Sequence, residues 1–186
     1  MIVLLMMTAQ VDAAEITREQ LDKIFSDIQT IEAPSPLHID AEALEHKFNW
    51  FIVPIVQDGM GKDDISDIAH LFLINDYEVI DTTKGKIVFN LFEYPGAAIF
   101  IMGEGEEEHS EVLGMCYTTP ENQTEALYTI WLLTAFAGSI SPDIDTQALM
   151  NELTAEGSSG SVVKQGLKFS ITEYDNVNVL TVVAAH

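Results

Sequence analysis

Apolar positions recur along the chain in two different periods, and the changes of period divide it into blocks. Leu21, Ile24, Phe25, Ile28 and Ile31 follow helical spacing, so one face of that segment is apolar. Thr17 with Gln20 three residues on is a capping box, and Ile16 is placed to staple against Leu21. The stretch Ala33-Pro34-Ser35-Pro36 ends this first predicted helix. Asp40 caps a second, with Leu44, Phe48, Phe51, Ile52 and Ile55 inward and Pro54 expected to end or kink it. Residues 57–64, with Gly59 and Gly61, form a loop.

From Ile68 the period falls to two. Short β-type runs are predicted at 71–74, 77–81, 86–92, 97–102 and 111–117, separated by turn residues such as Asn75-Asp76, Thr83-Lys84-Gly85 and Pro95-Gly96. Ile87, Phe89 and Leu91 alternate with Val88, Asn90 and Phe92, as in an antiparallel meander with one covered face. Thr119-Pro120 and Ser141-Pro142 then open two more helices. The first of these is apolar nearly all round from Ala126 to Phe136, which places it centrally. Runs at 162–163, 167–174 and 177–184 finish the chain as strands, the last two joined at Asp175-Asn176. The order αα–β(meander)–αα–β(strands) predicts an α+β domain: an antiparallel sheet of short strands with helices packed on one face. No linker divides residues 14–186, which read as a single domain.

The N-terminus changes the picture of compartment. Residues 1–7 are wholly apolar, and Val11 and Ala13 stand at the −3 and −1 positions of a small-residue cleavage step. Residues 1–13 thus read as a signal peptide truncated of its basic region, the mature chain starting at Ala14 in the periplasm or outside the cell. A retained Met1–Met7 run would instead be a strand of a cytoplasmic protein.

Charge narrows the function. Thirty Asp and Glu face eight Lys and Arg among 186 residues, a formal charge of −22. Such a surface repels nucleic-acid phosphates and anionic lipid and attracts basic proteins, peptides or divalent cations. The longest apolar stretch, Ala126–Ile140, is interrupted by Tyr128, Thr129, Thr134 and Ser139 and reads as a core helix, not a membrane span. The single cysteine, Cys116, lies in the apolar run 112–117, has no basic neighbour in sequence, and is expected in the core.

Candidate chemistry is thin. Glu104, Glu106, Glu107, Glu108 and His109 form an acidic loop with ligand-type side chains, but without the Asp-x-Asp-x-Asn-Gly frame that builds a calcium site. Asp143-x-Asp145 opens like a calcium loop, yet Ala148 stands where its turn needs glycine, and helix-capping acids account for both. Glu42 and His46 share a helix face without the two-histidine spacing of zinc hydrolases, and His70 offers one ligand at best. No Gly-x-Ser-x-Gly elbow is present, and Asp63 after Lys62 spoils any phosphate loop. No cofactor or catalytic constellation is expected. Trp50 lies off the apolar stripe of its helix, so Trp50 with Phe92 and Tyr94 is the candidate partner-binding group. The expectation is an exported acidic module that is not an enzyme and binds a basic protein or peptide. Its alternatives are a cytosolic inhibitor or immunity-type protein neutralising a basic toxin or nuclease, and weak divalent-cation binding at loop 104–109.

Overall fold

The computed structural model describes residues 14–60, 66–103, 110–155 and 160–185. The N-terminal run and loop 104–109 lie outside them. Helix α1 (Arg18–Ile28) opens with the expected capping box: Thr17 Oγ1 accepts from the Gln20 N–H, and Gln20 Oε1 accepts from the Thr17 N–H at 2.9 Å. Helix α2 (Ala41–Met60) and the single turn α3 (Ser66–Ala69) precede the meander β1 (Glu78–Thr82), β2 (Gly85–Leu91), β3 (Ala97–Gly103) and β4 (Ser110–Thr118). Helices α4 (Gln123–Ile140) and α5 (Thr146–Thr154) lead to β5 (Ser161–Lys164), β6 (Leu167–Tyr174) and β7 (Val177–Ala184).

All seven strands form one sheet in the order β1-β2-β3-β4-β7-β6-β5, and every pairing is antiparallel. The α+β class and the antiparallel sheet are as the periodicity predicts. The placing of every helix on one face is not. Ile99, Ile101, Leu113, Met115, Leu180 and Val182 pack with α2, α4 and α5. Their strand neighbours Ala98, Phe100, Met102, Cys116, Val179 and Val183 pack with Leu21, Ile24, Phe25 and Ile28 of α1 on the opposite face. Side chains alternate across a strand, so the nearly continuous apolar runs of β3, β4 and β7, the last broken by Asn178 and Thr181, are those of strands covered on both sides. In β6 Leu167, Phe169 and Ile171 join the α2 side, while Lys168 and Thr172 stay exposed; there the period of two survives.

Four local expectations are corrected. Helix α2 runs through Pro54, whose ring sits on the exposed side, where water can serve the Trp50 carbonyl that loses its N–H partner. The run 71–74 is no strand: a 3₁₀ turn (His70–Phe72) leads to Ile74, whose N–H and C=O both bond to the Asn49 side chain of α2 at 2.9 Å. One amide thus supplies what a neighbouring strand would. Helix α4 begins after Asn122, not Thr119. Asn122 Oδ1 accepts from the Glu125 N–H at 3.0 Å, and the buried Glu125 carboxylate accepts from the Glu121 N–H at 2.8 Å. Helix α5 likewise starts after Asp145, whose carboxylate accepts from the Ala148 N–H at 3.0 Å.

Candidate functional site

Of the residues singled out as a partner-binding group, only Trp50 is accessible. It stands 72% exposed on the outer face of α2, its ring edge against Phe51. Phe92 packs on Phe48 at 5.5 Å and Tyr94 lies between Phe72 and Tyr128, both within the core. They form no surface with Trp50, because Phe92 meets Phe48 on the inner stripe of the helix whose outer stripe carries Trp50, and Tyr94 is buried against Phe72 and Tyr128. Neither aromatic shows this in sequence, since each follows the strand pattern just where the chain leaves β2.

The metal candidates Glu104, Glu106, Glu107, Glu108 and His109 lie outside the described residues. Among the described residues no group of three or more His, Cys, Asp and Glu is placed to hold a metal ion. His46 meets Glu42 at 3.8 Å and His70 meets Glu93 at 3.4 Å, both pairs on the surface. Cys116 is fully buried, and burial alone drives its thiol pKa far up, so it is a core group and no nucleophile.

A groove about 450 Å³ in volume lies between α1 and the β1–β2 hairpin. Phe25 and Ile87 form its buried floor. Asp22, Ser26 and Gln29 of α1 line one wall, and the segment Ile80–Thr83 lines the other. Phe25 is locked from beneath, edge-on to Phe89 at 5.2 Å and to Phe100 at 5.6 Å.

Polar contacts span both ends of the groove. At one end the Arg18 guanidinium bonds Glu78 at 3.0 Å and Asp22 at 3.3 Å, lying over the Phe89 ring. At the other, the Thr83 hydroxyl bonds Gln29 Oε1 at 3.4 Å. From Arg18 to Gln29 a helix rises about 16 Å, and from Glu78 to Thr83 a strand advances about 17 Å. Helix and strand therefore run side by side over the length of the groove. One guanidinium serves two carboxylates, Asp22 and Glu78, while Asp81, on the opposite face of β1, lies across from Lys86.

β1 ends the sheet on this side, and among the described residues no strand pairs with its outer edge. Thr82 and Gly85 flank a two-residue turn and exchange ladder bonds; Ile80 and Glu78 do the same in the alternating pattern of antiparallel pairs. Val79 and Asp81 therefore direct their N–H and C=O groups outward. The sequence marks Ile80 and Ile87 as strand positions, but the groove depends on which face α1 takes, and that is not written locally.

The chain matches no family model, no curated protein and no solved structure. No helix among the described residues is long and apolar enough to cross a membrane.

Proposed function

We propose that this chain is an exported, non-enzymatic binding module whose partner is a basic protein or peptide. The observation that carries the reading is the groove along α1 and β1: a preformed apolar floor with carboxylates at its rim, in a chain of net charge −22. Concave apolar sites with a few convergent polar groups are where ligands bind. Complementary charge speeds encounter with a cationic partner and selects against anionic ones. Three of the described cations, Arg18, Lys23 and Lys164, are already engaged with the chain's own carboxylates, which leaves the acidic field largely unopposed.

The test is titration with a lysine-rich peptide and a glutamate-rich one of equal length, followed by calorimetry from 20 to 500 mM salt. Binding of the basic peptide alone, weakening steadily as salt screens the surface, supports the reading. No binding at the lowest salt refutes it, as does a hydrolytic activity that disappears when one His or Asp is replaced. Export is tested on protein purified from its native cells: a chain starting at Ala14 in an extracytoplasmic fraction agrees, and a cytosolic chain starting at Met1 does not.

A further inference from the structure

The geometry points to strand addition: we propose that an extended segment of a basic partner pairs with the outer edge of β1 and lays alternate side chains into the groove under α1. This deepens the function proposed above and rests on it.

The backbone comes first. Val79 and Asp81 offer two N–H and two C=O groups toward the open edge, and only an extended chain can satisfy such a row. The opposite edge of the sheet is managed differently. β5 has four residues, and Lys164 within it is tied to Glu152 of α5 at 2.6 Å. Among the described residues β1 has no such strap along its length; its polar contacts with α1 lie at the two ends, Glu78 to Arg18 and Thr83 to Gln29.

The side chains follow from the pleat. Ile80 faces α1 and packs at the border of that core, so side chains of an added strand on the same face would meet Phe25, Ile80 and Ile87. Those positions take apolar residues of modest size. On the other face the added strand would lie beside Val79, 58% exposed, and the Asp81 carboxylate. There an aliphatic stem ending in an ammonium group satisfies both. Along α1 the groove runs from Asp22 to Gln29, about 10 Å of helix, which accepts about three residues of strand. A second copy of this chain would bring another charge of −22 to the same edge, so a cationic segment is the fitting occupant.

The experiment uses the full chain and a capped seven-residue peptide of alternating valine and lysine. Binding should protect the Val79 and Asp81 amides from hydrogen exchange. N-methylation of the alternate peptide amides that face β1 should weaken binding about tenfold or more, while methylation of the other set leaves it unchanged. Val79→Pro removes one outward N–H without touching the ladder to β2 or the charge. Ser26→Tyr fills the groove from an exposed helix position. Each should weaken binding about tenfold or more with the melting temperature retained.

Strand addition is overturned if the peptide binds without protection at Val79 and Asp81, if both methylated sets bind alike, or if those amides are protected before any peptide is added. A dimer of the chain that Val79→Pro dissolves would make the occupant a second copy and overturn the cationic one. If lysine-rich peptides bind but neither variant weakens them, strand addition fails while the acidic-surface reading stands. If none binds at low salt, both fall.

Discussion

Gly114, in the middle of β4, is where Phe100 lies down. The two residues are cross-strand partners, and the Phe100 ring crosses the place a side chain at 114 would occupy. A Cβ built there would stand 2.0 Å from Cζ, 2.4 Å from Cε1 and 2.7 Å from Cε2 of that ring. Carbon atoms in contact settle at about 3.5–4.0 Å, so Gly114→Ala forces the ring to retreat by more than an ångström. The ring has little room: Phe100 is buried, and Phe25 of α1 bears on it at 5.6 Å. Overpacking of this kind costs about 1–3 kcal/mol, against a gain of about 0.5–1 kcal/mol from replacing a strand glycine. Gly114→Ala should therefore destabilise the fold by about 1–2 kcal/mol. Urea unfolding at neutral pH measures this as a lower midpoint with unchanged slope. The diagnostic is a double-mutant cycle with Phe100→Leu. The clash needs both partners, so the pair should cost less than the sum of the single changes by about 1 kcal/mol. A neutral or stabilising Gly114→Ala, or strict additivity, would refute the packing described for the α1 face.

Asn49→Ala should cost about 1–3 kcal/mol by urea unfolding, because both main-chain groups of Ile74 lose their partner; an unchanged midpoint would remove Asn49 as the brace of that segment. Tyr94 and Tyr117 have pKa values pushed up to about 12, first by burial and, at Tyr94, then by the Glu125 carboxylate. The folded state thus holds these protons more tightly than the unfolded chain, so stability is intact below about pH 10 and falls as pH rises toward 12. Tyr94→Phe with Tyr117→Phe should flatten that alkaline loss, and a loss of unaltered steepness would contradict it. Cys116 should resist thiol reagents at pH 8 until denaturant is added; rapid labelling of the native protein would show that its burial is wrong. Trp50→Ala should leave the melting temperature within a degree or two, since so exposed a side chain stabilises little. A large drop would mean that Trp50 packs against something.

Much of the fold is legible in the sequence because it is written in short-range chemistry. The Thr17–Gln20 box, the turn at Asp175-Asn176 and the alternation of Phe169 and Ile171 with polar neighbours each report on residues a few positions away. What escapes depends on distant partners. The segment before Ile74 has strand composition but takes its hydrogen bonds from a helix 25 residues earlier. Thr119-Pro120 carries a start signal that is outcompeted by Asn122 with Glu125, a pair three apart that reads equally well as a cap once the carboxylate is known to be buried. The side of the sheet that α1 covers is fixed by the path of residues 29–40, where Leu37 N–H and Ile39 N–H bond Ser110 on β4. The groove inherits that dependence. Its floor residues look like any core stripe, and only the pairing of α1 with an edge strand makes them a site.

The place of β7 beside β4 has a kinetic consequence. Every other neighbouring pair in the sheet is a hairpin of consecutive strands, formed by closing a short loop. The pairing of Thr118 with Val177 through Leu113 with Val182 instead closes about 60 residues, at an entropic cost of about 3–4 kcal/mol. Two locally assembled meanders and one seam between them make that closure the step at which folding rate is decided. Substitutions that weaken the seam, at Met115 or Leu180, would slow refolding, whereas those within either meander would chiefly hasten unfolding.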